Sequence, residues 1–368
     1  MFNYQNNIIA ILLSMVILAS PLVGKDYNQA FDLMFFGRQP SARAEAMGKS
    51  MVATDAGGFA SYYNPALVSL NQGLTVSASH ASPYYGLDQA DYTYIGATYQ
   101  AGRLGSAGLS MFQFDWGERF FISTAEMPDG TGEFIEPNTT FYRASFARQI
   151  VAGLHAGVNL NLIHDDLFMS GTSYTFDIGL FKTIEVRNGR RFSFGASLFN
   201  MAGPKITYVV RTTNPNIERD NELVLPLLFR SGAMYQTAIG VSELNGFALN
   251  TFAATVQVEY QDLFNADIYD GFRAGAQLSF LEMIHLRAGY YREDLGIIGM
   301  ADTERQHLDD FTYGVGIEVP VNKLTRTGIP LIFCLDMTSL KQTVATESFL
   351  GSMSFSVYSL SVNWQITN

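Results

Sequence analysis

From Leu74 onward, apolar and polar side chains alternate along the chain with a period of two. Phe272, Ala274, Ala276, Leu278 and Phe280 alternate with Arg273, Gly275, Gln277 and Ser279. Leu154, Ala156, Val158, Leu160 and Leu162 alternate with His155, Gly157, Asn159 and Asn161. Tyr313, Val315, Ile317 and Val319 alternate with Gly314, Gly316 and Glu318. Successive side chains of a strand point to opposite faces, so each segment gathers its apolar groups on one side. The pattern predicts fourteen strands, near 73–80, 92–100, 106–116, 139–149, 153–164, 172–184, 191–200, 225–237, 247–261, 269–281, 284–293, 308–320, 329–339 and 353–365.

A soluble sandwich would alternate in the same way. Three features point to a membrane instead. Most of the segments match or exceed the roughly 9–11 residues that a tilted strand needs to cross a bilayer. Their polar face is rich in Gly, Ser, Asn and Gln, as a barrel lumen is. Aromatic residues cluster near segment ends, at Tyr84–Tyr85, Phe120–Phe121 and Tyr290–Tyr291, where interfacial girdles lie. The expected fold is therefore all-β: a transmembrane antiparallel β-barrel of about 14 strands over residues 73–368.

If the first strand rises from the periplasm, the long connections 117–138, 201–224 and 294–307 fall outside. Short ones such as 150–152 and 282–283 fall inside, as in barrels of this kind. Asn188-Gly189 reads as a tight turn. Pro226 fits the start of its strand, and a phase slip around Val357–Ser359 predicts a bulge.

The N-terminal part does not alternate. Ile8–Ala19 is an apolar core too short to span a bilayer and suits a cleaved signal peptide, assigned to 1–24 although Met1–Asn7 lacks Lys and Arg. Residues 25–72 are too few for a core of their own. Their expected burial place is the barrel lumen, as a hatch or plug; a periplasmic extension is the alternative. A short helix is predicted within them, with Ser41 as N-cap and Gly48 as its stop.

Composition narrows the function. The 368 residues are 48% hydrophobic and 15% charged, with a net charge of −11. No basic patch offers itself to nucleic acid. Cys334 is the single cysteine and reads as a wall residue. His80, His155, His164, His285 and His307 are scattered, and only His164-Asp165-Asp166 clusters. No phosphate loop or zinc-protease spacing occurs, so no catalytic residue, cofactor or metal is expected. The acidic stretches Glu218–Glu222 and Asp302–Asp310 read as solvated outer surface. Arg143, Asp177, Glu259, Arg273, Arg287 and Glu318 should face the lumen, because Arg on a lipid face costs roughly 2–4 kcal/mol at mid-depth. They could pair with one another, line a solute path or clamp the hatch, with Arg43 and Glu45 as partners.

Pro40-Ser41-Ala42-Arg43-Ala44-Glu45-Ala46-Met47-Gly48 and Tyr62-Tyr63-Asn64-Pro65-Ala66 together resemble the N-terminus of the PorV/PorQ family, relatives of the FadL fatty-acid transporter. Leu225-Pro226 followed by Gly232-Ala233-Met234-Tyr235 is also similar to that family. The resemblance covers about 50 residues well and the rest by architecture. It implies a fourteen-strand barrel whose hatch motif is Ser41, Arg43, Glu45, Met47, Gly48, Tyr63, Asn64 and Pro65. It further implies a non-catalytic outer-membrane component of type IX protein secretion, binding translocon or cargo proteins through the long outer loops. The alternative is a FadL-like passive transporter of hydrophobic compounds, with a lipid or similar small molecule held by Phe31, Leu33, Met34, Phe35 and Phe36. Leu67 stands where FadL-like chains often carry glycine, which removes a flexible backbone point.

Overall fold

The computed structural model describes residues 39–82, 91–115, 134–166, 170–186, 189–202, 205–208, 221–225, 227–264, 270–295, 306–325, 329–342 and 353–365, with single positions in between. The predicted signal peptide and the residues Phe31, Leu33, Met34, Phe35 and Phe36 lie outside the described residues, as do Tyr84–Tyr85.

Fourteen antiparallel strands close one barrel. They are β1 (Leu74–Ser82), β2 (Asp91–Gln100), β3 (Ser106–Asp115), β4 (Asn138–Val151), β5 (Leu154–Asp166), β6 (Ser170–Val186) and β7 (Arg190–Met201). Then follow β8 (Leu228–Leu244), β9 (Phe247–Leu263), β10 (Gly271–Phe280), β11 (Ile284–Leu295), β12 (Gln306–Pro320), β13 (Leu331–Gln342) and β14 (Met353–Trp364). The ring closes where β14 pairs with β1, from Leu74↔Trp364 to Ser82↔Ser356. Each strand overlaps one predicted from alternation.

Several boundaries differ for physical reasons. β8 starts after Pro226 and runs on to Leu244, so the gap between the strands expected near 225–237 and 247–261 shrinks to Asn245-Gly246. Both residues have positive φ (55° and 87°), the conformation a two-residue hairpin turn demands. The long connection after β7 is not featureless: Lys205–Tyr208 and Asn221–Val224 form a hairpin that branches from the upper part of β6. Part of the acidic stretch 218–222 therefore belongs to a strand, and Asp309 and Asp310 lie within β12. The predicted bulge in β14 is absent, since its register is unbroken against both neighbours. The slip in pattern marks a change in the lumen. Phe355 and Val357 point inward, then Ser359 takes the inward position while Tyr358 and Leu360 face out. Register shifts lie instead between β4 and β5 at Gln149/Val151 and between β6 and β7 at Phe176/Ile178, where Asn200 and Ala202 adopt left-handed backbone.

The wall is apolar outside and polar inside. Ile95, Leu109, Leu160, Leu278, Leu286, Val315 and Leu335 are exposed on its exterior. Ser77, Thr98, Asn159, Thr175, Ser197 and Gln257 are buried facing the lumen. Water would penalise so continuous an apolar surface, whereas hydrocarbon does not. A closed ladder also leaves no unpaired strand edge to lipid. The chain is thus a transmembrane β-barrel of the bacterial outer-membrane kind, with short turns at one end and long connections at the other. Of the expected girdle pair Tyr290–Tyr291, only Tyr290 faces out, beside Phe311; Tyr291 points inward, under the Lys49 ammonium.

Candidate functional site: the plugged lumen

Residues 39–72 cross the lumen as a plug of short helical turns. Helix α1 (Ala42–Ala46) starts at Ser41, whose side chain makes no capping bond; its backbone N–H instead donates to the Tyr63 hydroxyl at 3.2 Å. The helix stops as expected at Gly48, with φ +62°, and the following N–H, from Lys49, returns to the Ala44 carbonyl at 2.8 Å. A second short helix, Ala60–Tyr63, leads to Asn64 and a 3₁₀ turn, Pro65–Leu70. Asn64 caps that turn by accepting from the Ala66 N–H at 3.0 Å, while its amide donates to the carbonyls of Val52 and Leu180. Leu67 is fully buried there.

Plug and wall are stitched together around the whole ring. Among the described residues, hydrogen bonds join the plug to every barrel strand except β13, from Gly58 N–H to Ser77 on β1 round to Ala42 N–H to Ser359 on β14. Helix α1 packs directly on β13. Glycines on the wall let backbones meet. A methyl group at Gly195 would overlap the Val52 carbonyl, one at Gly179 the Asn64 side chain, and one at Gly275 or Gly289 the Met47 backbone.

On the β9–β11 side the stitch is a buried charge network. Glu259 Oε2 accepts the N–H groups of Met51 and Val52 at 2.7 and 2.8 Å. Arg273 donates to Glu259 at 3.1 Å, to Glu293 at 2.7 Å and to the Lys49 carbonyl at 3.4 Å. Lys49 closes the network on Glu293 at 2.9 Å. Such a network satisfies both the buried charges and the orphan N–H groups of the plug.

The predicted lumen charges all lie on the inner face but fall into separate groups. Glu259 and Arg273 meet in the network above. Arg143 and Asp177 meet on the opposite side, 3.5 Å apart, with Arg143 also donating to the Ser61 carbonyl and Asp177 accepting from Asn159 and the Asn200 N–H. Arg287 pairs with Asp336 at 2.6 Å, and Glu318 lies 3.8 Å from His285. Glu45 does not reach these charges; it is buried and accepts the Gln39 N–H at 2.9 Å. Lys49, Arg230, Glu293 and Asp336 were missed. The alternation that exposed Arg273 would also have pointed Arg230 and Glu293 inward, but Lys49 sits in an aperiodic segment. The cluster His164-Asp165-Asp166 binds its neighbours Thr172 and Thr139, and no metal-ligating group of three occurs among the described residues.

Toward the long-connection end, a narrow cleft of about 30 Å³ overlies the plug. Tyr62, Tyr94, Phe112, Phe141 and Phe199 wall it, with Arg143 and Arg230 at its base. Arg230 is fully buried and has no carboxylate partner among the described residues. Its guanidinium lies over the rings of Phe199 and Tyr62, at 5.2 and 5.5 Å. Outside the same stretch of wall runs an apolar groove of about 590 Å³, lined by Ile95, Leu109, Met111, Tyr142, Leu160 and Tyr174. Ser110 and Arg143 border both spaces, so the groove and the cleft lie on opposite faces of the same stretch of wall.

No family model and no curated protein matches this sequence. Among solved structures it is similar to the Ralstonia pickettii toluene transporter TbuX, at 13% identity and a TM-score of 0.47, over 92% of this chain and all of that one. It is also similar to the P. putida toluene transporter TodX, at 12% identity and 0.46 over 89% and 99% of the two chains. A Pseudomonas aeruginosa FadL homologue aligns at 7% identity and 0.46, over 90% and 99%.

Proposed function

We propose that this barrel is a passive, plug-gated route for small hydrophobic compounds across the outer membrane. The observation that supports it best is the cleft over the plug. Ligand pockets for such compounds are largely apolar, with a few placed polar groups that orient the ligand. Five aromatic rings around one buried, carboxylate-free guanidinium meet that description. The cleft holds about one water in this closed form, so entry of a ligand requires the plug or the rings to move. The groove on the lipid side gives hydrophobic molecules a place to gather against the same wall.

The reading is tested by flux of a medium-chain amphiphile, decanol or decanoate, into liposomes carrying the purified protein. Ser110→Trp adds bulk at the shared stretch of wall and is expected to lower flux at least tenfold while the barrel keeps its heat-resistant gel mobility. Flux no greater than that of empty liposomes, with no hydrophobic compound retained in native mass spectrometry, would sink the proposal. Binding of a secretion partner has no comparable support in the geometry, because most of the expected loops 117–138, 201–224 and 294–307 lie outside the described residues.

A further inference from the structure

On the opposite face of the plug, toward the short-turn end, lies a second cavity of about 180 Å³. It is unlike the aromatic cleft. Its ceiling is Ser41, Arg43, Met51, Ala56 and Phe59 of the plug; its wall carries Gln277, His285, Arg287, Glu318, Cys334 and Asp336. That volume accommodates a few waters or one small oxyanion.

Two guanidiniums and two carboxylates line it, but they are not fully paired. Arg287 spends Nη1 on Asp336 at 2.6 Å and Nε on Gln277 at 2.8 Å. Glu318 stands 3.8 Å from His285, whose Nδ1 bonds Ser279 at 2.9 Å. Cys334 Sγ lies 3.8 Å from Glu318. Arg43 has no carboxylate partner among the described residues. One of its Nη atoms donates to the Asp55 carbonyl at 3.1 Å, and its Nε is buried without a partner. Arg43 of the plug and Arg287 of β11 line the same cavity. A buried guanidinium N–H left unmade is costly. An oxyanion removes that penalty, because a guanidinium presents paired donors suited to carboxylate and phosphate.

We infer that this chamber is an oxyanion site, taking a small carboxylate or phosphate between Arg43 of the plug and Arg287 of β11. Occupancy ties the plug to the wall next to β13, the strand that shares no hydrogen bond with the plug among the described residues. The site is separate from the hydrophobic route and stands whether or not that route exists.

Cys334 supplies the assay, since it lines the chamber and is the chain's only cysteine. Its rate of modification by neutral methyl methanethiosulfonate is followed in detergent-purified protein, in sodium chloride, sodium phosphate and sodium butyrate of equal ionic strength. Phosphate or butyrate should slow labelling several-fold and saturably. Arg43→Gln should remove the protection, and Arg43→Lys should keep part of it. Where labelling is slow, calorimetric titration of phosphate measures the same binding directly. Protection in bilayers of anionic phospholipid without added salt anion would assign the site to a lipid headgroup rather than a free ion. Equal labelling in all three salts with no phosphate heat overturns the inference, as does protection that survives in folded Arg43→Gln.

Discussion

The plug meets the wall in two different ways on its two sides. Against β9–β11 it is held by charge: Glu259, Arg273, Glu293 and Lys49 gather around the turn 47–52. Against β5–β7 it is held by backbone and shape: Asn64 bridges Val52 and Leu180, Pro65 sits on Gly157, and Ser197 donates to the Tyr63 carbonyl. A charge network fails as a unit once one member goes, because the remaining buried charges lose their compensation. A close backbone contact instead fails by overlap, in proportion to the volume added. The charge network is therefore the contact suited to release, while the close glycine contacts, which Gly275 and Gly289 also make beside that network, hold the plug in place.

That contrast can be broken or sharpened by mutation, read as open probability in planar bilayers, where each 1.4 kcal/mol is about a tenfold change. The largest effect is expected for Glu259→Ala. It strips the Met51 and Val52 N–H groups of their acceptor and leaves Arg273 half paired, a loss of about 3–5 kcal/mol of plug docking. Conductance should rise by more than a hundredfold, with heat-resistant gel mobility unchanged. Asn64→Ala comes next. It removes three hydrogen bonds of about 1 kcal/mol each and should weaken both plug docking and heat resistance. Gly195→Ala should have the smallest effect, about 1–3 kcal/mol, as the Val52 carbonyl is pushed off the wall. If Asn64→Ala opens the barrel more than Glu259→Ala does, the assignment of the two sides is reversed.

How much of this could be read from the chain follows from what each region is bound to. Every barrel strand was legible, because a wall between hydrocarbon and lumen forces a period of two on its residues, as at Phe272–Phe280. The same constraint put Glu259 and Arg273 on the inner face, although it could not say that they meet. The false bulge at Val357–Ser359 shows where a period of two misleads: the lumen turns from apolar to polar along β14, and the pattern alone reads that change as a slip. The resemblance of Ser41–Gly48 and Tyr62–Ala66 to the PorV/PorQ N-terminus picked out residues that lie buried in the plug. It carried no information on which wall groups they would touch.

By itself, then, the sequence determined a membrane-spanning barrel, its strands, and a helix stop at Gly48, since each depends on neighbours a few residues away. Only the tertiary structure decided how the plug is held. Lys49 and Glu293, or Asn64 and Leu180, are more than a hundred residues apart, and ring closure alone brings them within hydrogen-bonding distance. The aromatic cleft above the plug and the charged chamber below it have the same origin. Each draws its lining from several strands and from a plug with no periodicity to follow, so no local pattern could announce them.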